Sequence, residues 1–139
     1  VTDLLYDLGT QGEFLLEFAE RDANVVDELL ATSPDEPDRV SAQKRATGVP
    51  LAIAEACLPV LEHATVLTEK GNRNAVPAAG TGSFLVYGAL RASVFPVRCN
   101  LDRISDPSFV EEMETRATEL ERSAEAEFER AISTIERDG

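Results

Sequence analysis

Two cysteines, one histidine and two lysines (Lys44 and Lys70) are all that this 139-residue chain carries of those types. Cys57, Cys99 and His63 form no Cys-x-x-Cys pair and no His ladder, which leaves no metal site of the usual zinc spacing. Both cysteines fall in apolar helical segments and are expected as small, reduced core residues, which suits a cytoplasmic location. Basic charge is scarce as well: 13 Lys+Arg stand against 26 Asp+Glu, for a formal net charge of −13. A field of that sign repels nucleic acid and anionic membrane, so neither is expected as a partner. It fits two settings, a halophilic cytoplasm or an ordinary acidic cytosol. Strand patterning is also missing, since no run alternates with period two. No amino-terminal stretch has the basic, then apolar, then small-residue layout of a secretory leader. The longest span poor in charge, Ala75 to Val97, holds only Arg91 and contains Pro96. Rich in Ala, Gly and Ser, it is expected as a buried helix and not a membrane span.

What remains is helical pattern throughout, on a chain of one domain, residues 1–139. The first segment sets Leu4, Leu8, Leu15, Phe18, Asp22, Val26 and Leu29 at three- and four-residue steps, with Gly9 and Gly12 predicting a break near Thr10. The acidic loop Ser33-Pro34-Asp35-Glu36-Pro37-Asp38 ends it. A second segment starts around Asp38 and meets Val49-Pro50, where it either kinks or gives way to a new helix. Leu51, Ala54, Leu58, Leu61, Ala64 and Leu67 then share one side, with Pro59 expected to add a bend. From Pro77 to about Leu101 the pattern is apolar nearly all round, which predicts a helix buried in a bundle. Its small-residue stripe, Thr81, Leu85, Gly88 and Ala92, suits a central helix or a dimer seam. The last helix reads most plainly: Asp106 as N-cap, Pro107 at N1, Glu111 and Glu112 near the positive end. Val110, Met113, Ala117, Leu120, Ala124, Ala131 and Ile135 keep nearly a heptad beat, with Phe128 beside them. The expected fold is an all-α antiparallel helical bundle, assembled as a homodimer.

Candidate chemistry sits at a few positions. Asp22 falls on an apolar stripe, and a carboxylate facing a core costs several kcal/mol unless paired or protonated. It is either an acid/base group or the partner of an arginine at the bundle edge. The stretch Glu69-Lys70-Gly71-Asn72-Arg73-Asn74-Ala75-Val76-Pro77 reads as a helix end running into a polar loop. Gly71 is expected as a left-handed cap, Lys70 complements the helix dipole, and Asn72 and Asn74 bring amides. Arg98, in an otherwise apolar helix, must bond a carboxylate (Asp22 being one option) or a ligand anion. His63 is expected as an exposed or edge residue without a catalytic partner.

Four pieces in order resemble the cyclodeaminase/cyclohydrolase family, over roughly residues 13–136. They are Val49-Pro50-Leu51-Ala52-Ile53-Ala54-Glu55, Glu69 through Asn74, Val97-Arg98-Cys99-Asn100-Leu101, and Asp106-Pro107-Ser108-Phe109-Val110-Glu111-Glu112-Met113. That family includes the cyclodeaminase half of formiminotransferase-cyclodeaminase and the methenyltetrahydrofolate cyclohydrolases. The resemblance implies an enzyme that cyclises 5-formiminotetrahydrofolate with loss of ammonia, or hydrates 5,10-methenyltetrahydrofolate to the 10-formyl form. It implies a tetrahydrofolate derivative as substrate and no metal. An Asp-Ala pair stands at the corresponding point of the family, which implies Asp22 as acid/base. Lys70, Asn72 and Asn74 match the helix-end motif and would position the folate; Arg98 and Asn100 match the Val-Arg-x-Asn-Leu piece. The family pattern also opens with a Pro-Gly-Gly-Gly-Ser turn, not found ahead of Val1, and carries Ser-Asp where Pro77-Ala78 stands. The resemblance therefore also implies a chain truncated at its amino end relative to the family. The alternative is an inactive helical homologue acting as a dimeric binding module.

Overall fold

The computed structural model describes residues 2–33 and 38–138. The middle of the acidic loop, residues 34–37, lies outside the described residues. The described chain is four helices with no strand: α1 (Thr2–Ala31), α2 (Arg39–Lys70), α3 (Val76–Leu101) and α4 (Pro107–Asp138). α2 is the centre, packed against each of the other three, whereas α1 packs on α2 alone. By length and composition α2 could cross a membrane, yet here it supplies core residues Leu51, Ala54, Cys57 and Leu61 to the bundle.

Contacts set the directions. Arg45 near the start of α2 bonds Glu28 near the end of α1, while His63 lies toward Asp7. The end of α3 reaches the start of α2 through Asn100 and Ala46. Phe84 and Tyr87 of α3 pack on Phe128, and Arg98 bonds Glu121 farther back on α4. α2 and α4 instead keep step: Lys44 bonds Asp106 at 2.6 Å, Arg116 bonds Glu55 at 2.8 Å and Arg130 bonds Glu69 at 2.8 Å. This pair runs in the same direction. Such half-exposed ion pairs add little stability singly, but in series they fix the register.

α4 follows its sequence closely. Asp106 Oδ1 accepts from the Phe109 N–H at 3.2 Å, capping the helix that Pro107 opens. Its other oxygen takes the Lys44 ammonium, which also lies 5.1 Å from the Phe109 ring centroid. The lysine, then the backbone bond and Ser108, hold the Asp106 carboxyl down at about 2. Met113, Ala117, Leu120, Ala124 and Ala131 are buried on the heptad face.

Elsewhere the structure corrects the pattern. α1 runs unbroken past Thr10, whose hydroxyl donates to the Tyr6 carbonyl; Gly9 and Gly12 sit on its exposed side. α2 is continuous through Pro50 and Pro59. Proline has no N–H, so Pro50 leaves the Ala46 carbonyl without its helical donor, and Asn100 Nδ2 supplies one at 3.1 Å. Gly71 is extended (φ −71°, ψ 163°), not left-handed. Its N–H still turns back to the Leu67 carbonyl at 2.9 Å, and a Cβ there would stand 2.3 Å from that oxygen. That close approach is why the position takes glycine. α3 buries one face only, Ala79, Ser83, Leu90, Val94, Val97 and Leu101. The stripe Thr81, Leu85, Gly88, Ala92 is exposed, with Phe84, Phe95 and Cys99 beside it. Cys57 alone of the two thiols is buried, and burial pushes it up.

Candidate functional site

The two largest cavities with polar side chains lie toward opposite ends of α2. The first, about 390 Å³, is a cleft between α1 and α3 floored by α2. Asp22, Val26 and Leu29 form one wall, Ala46, Pro50 and Ile53 the floor, and Ala92, Ser93, Pro96 and Asn100 the other wall. The second, about 530 Å³, opens where α2 turns into α3 beside the end of α4. Thr68, Glu69, Gly71, Arg73, Val76, Pro77 and Ile135 line it. A third, apolar slot of about 330 Å³ beneath Leu8 has no side chain able to move a proton.

The six residues singled out from the sequence divide between these places. Asp22 and Asn100 meet in the cleft with Ser93. Asp22 is half-buried and makes no hydrogen bond or ion pair among the described residues; its neighbour Arg21 turns away to Glu17. Asn100 is half-spent, its amide nitrogen fixed on the Ala46 carbonyl and its oxygen left over. Arg98 goes elsewhere. Two residues along a helix is a turn of about 200°, so Arg98 and Asn100 face opposite sides of α3. The arginine meets Glu121 of α4 at 2.6 Å, with Thr118 at 3.5 Å, so its carboxylate is Glu121 and not Asp22.

Lys70, Asn72 and Asn74 are exposed at the far end. Asn72 Oδ1 accepts from the Asn74 N–H at 2.7 Å, and the Asn72 carbonyl accepts from Ala75 N–H at 2.9 Å. This loop does wall a cavity, but through Gly71 and Arg73. Twenty helical residues from Pro50 to Lys70 rise about 30 Å, so one small ligand cannot touch both groups in one chain. His63 Nε2 is 3.8 Å from Asp7 Oδ2, at the edge of the α1–α2 contact, while its Nδ1 is buried without a partner. Among the described residues no three His, Cys, Asp or Glu gather as metal ligands would.

Sequence reasoning passed over Ser93, Glu69 and Arg73. Ser93 and Glu69 carry no local signal of a cavity. Arg73 does: an asparagine side chain commonly bonds the backbone two residues on, which spends Asn72 and presents the residue between.

The described residues thus form an all-helical domain whose central helix floors a cleft bearing a carboxylate. The family model Formiminotransferase-cyclodeaminase matches residues 1–119, and the chain belongs to that family. It is similar to the methenyltetrahydrofolate cyclohydrolase of Methylorubrum extorquens, 35% identical over 94 residues, covering 68% of this chain and 45% of the relative. Its fold matches the crystal structure of formiminotetrahydrofolate cyclodeaminase from Thermotoga maritima with a TM-score of 0.82 at 23% identity. That match covers 86% of this chain and 61% of the other. The chain thus spans less than half of the curated relative and about three-fifths of the solved structure.

Proposed function

We propose that this protein works on one-carbon reduced folates, as a formiminotetrahydrofolate cyclodeaminase or a methenyltetrahydrofolate cyclohydrolase. The observation that carries the reading is Asp22 in the cleft: a half-buried carboxylate, unpaired among the described residues, on a mostly apolar cavity wall. A carboxylate bound to nothing is one available to a ligand, and proton transfer by such a group is worth about 10²–10⁴-fold in rate.

In hydrolysis, Asp22 takes a proton from the water that adds to the methenyl carbon. It gives that proton to N5 as the C–N5 bond breaks, while the hydroxyl proton of the adduct leaves to solvent and the formyl group stays on N10. In cyclodeamination, N10 adds to the formimino carbon, its proton passes through Asp22 to the departing nitrogen, and ammonia leaves. Asn100 and Ser93 bound the same reacting space, with Arg98 bracing α3 against α4 through Glu121. At the other end of α2, Gly71 and Arg73 line the second cavity, and Lys70, Asn72 and Asn74 stand exposed beside it, where they could position the folate.

The same reading takes the molecule as an antiparallel bundle paired with a second copy through the exposed stripe of α3. Among its 26 residues α3 has no acidic side chain, so two strongly negative chains meet there with least repulsion. A two-fold axis near the middle of α3 would bring the loop end of one copy beside the cleft end of the other. That would unite groups about 30 Å apart in one chain. Reduced folates in a reducing cytoplasm suit its unpaired core thiol, Cys57. The test is to supply purified protein with 5,10-methenyltetrahydrofolate and with 5-formiminotetrahydrofolate, following the methenyl absorbance and released ammonia. Turnover of one of them is expected; turnover of neither by folded protein contradicts the reading.

A further inference from the structure

We infer that the loop cavity holds a carboxylate through Arg73, and that Asn72 acts as the positioning residue for that arginine. The choice of a folate's glutamate tail as the carboxylate rests on the function proposed above; the arginine site itself rests on geometry.

Lys70, the cation that the helix-end motif puts forward, does not line the cavity, whereas Arg73 does. Two hydrogen bonds bracket Arg73: Asn74 N–H to Asn72 Oδ1 at 2.7 Å and Ala75 N–H to the Asn72 carbonyl at 2.9 Å. The Asn72 side chain is consumed in building this turn, and its product is a fixed backbone under Arg73. Six other arginines, at 21, 45, 91, 98, 116 and 130, pair with glutamates, and Arg39 bonds backbone carbonyls. Of the four arginines left without a carboxylate among the described residues (73, 103, 122 and 137), Arg73 is the one that lines this cavity. The one acidic side chain on the cavity wall, Glu69, is held by Arg130 Nε at 2.8 Å, so its charge is already answered.

In a chain of net charge −13, long-range attraction cannot draw in an anionic ligand, and a local cation must hold it. A guanidinium does so with two parallel N–H bonds, a geometry that lysine lacks. The cavity, about 530 Å³, has room for a short tail with apolar contacts from Val76, Pro77 and Ile135. The site therefore discriminates for ligands by their tail carboxylates, apart from the reacting end.

Calorimetric titration of the folded chain tests this with three probes: 5-formyltetrahydrofolate, a tail-free tetrahydropterin, and poly-γ-glutamate. Arg73→Ala should weaken the tail-bearing folate and poly-γ-glutamate by about tenfold or more while leaving the tail-free pterin within about twofold. Arg73→Lys should recover only part of that loss, and Asn72→Ala should give a smaller loss of the same selectivity. Arg122→Ala, which removes equal charge from α4 away from the cavity, should change nothing beyond twofold. Poly-γ-glutamate binding through Arg73 with no binding of either pterin would uphold the arginine site and defeat the folate function. Folate binding indifferent to Arg73, or lost in Lys70→Ala instead, overturns the arginine site and leaves the folate function standing. Binding of none of the three probes overturns both.

Discussion

α1 and α4 are both amphipathic helices, of 30 and 32 residues, yet they join the bundle differently. α4 lies in the furrow between α2 and α3 and buries Met113, Ala117, Leu120, Ala124 and Ala131. α1 rests on α2 alone; no described residue of it is buried, and Tyr6, Phe14, Leu16, Val26 and Leu30 remain exposed. The alanines explain part of the contrast. Ala117, Ala124 and Ala131, one heptad apart, let the α4 backbone come close to two neighbours at once, and close packing is where burial becomes stability. α1 offers larger side chains to one neighbour and leaves a cleft on the side facing α3. The cavity with Asp22 exists because that helix is docked on one side only.

The contrast can be broken by matched truncations. Leu120→Ala in α4, at a site 7% exposed, should lower unfolding free energy by about 2–5 kcal/mol. Leu16→Ala in α1, 71% exposed, should change it by less than about 0.5 kcal/mol. Chemical denaturation of both variants compares them, and equal losses would end the distinction between the helices. Asn100→Ala should come next, at about 1–3 kcal/mol, because the Ala46 carbonyl then lies beside Pro50 without a donor. If that loss vanishes when Pro50 is also replaced by alanine, the account of the pair holds; an undiminished loss would contradict it.

Acid should act most gently, and through the α4 cap. The Asp106 carboxyl lies near 2 when folded against an ordinary 3.8. A carboxyl lowered by folding contributes stability in full above its unfolded value, and that contribution is lost as pH falls through the folded one. The Asp106 share is thus present at pH 5 and fades between about pH 4 and pH 2. Asp106→Asn should flatten this part of the stability curve in urea melts run across that range. An unchanged acid slope would show that the cap and the Lys44 pair carry no proton linkage.

The all-helical pattern, the α4 cap and the α4 face were legible because each is written locally: Asp106-Pro107 as a start signal, then alanines and leucines at heptad spacing. The number of helices was not, since Gly9, Gly12 and Pro50 read as breaks that the helices run through. The partners of long polar side chains were not. Nothing adjacent to Arg98 names Glu121, 23 residues on, and the 200° between Arg98 and Asn100 separates two residues that a motif reads together. The exposure of the Thr81–Ala92 stripe was hidden for a related reason. A helix apolar all round has two eligible faces, and one chain covers only one. Asp22 was legible as a misplaced carboxylate on an apolar stripe, whereas Arg73 was masked by a neighbouring lysine that fitted the motif better.

Proton transfer by Asp22 is the step to measure. Steady-state kinetics of Asp22→Asn on the preferred one-carbon folate, beside wild type with matched thermal stability, test it directly. The predicted result is a fall in kcat of about 100-fold or more with KM held within a few-fold, since an amide keeps the shape but cannot take a proton. A variant that turns over at the wild-type rate would remove Asp22 from the chemistry and the cleft from the account.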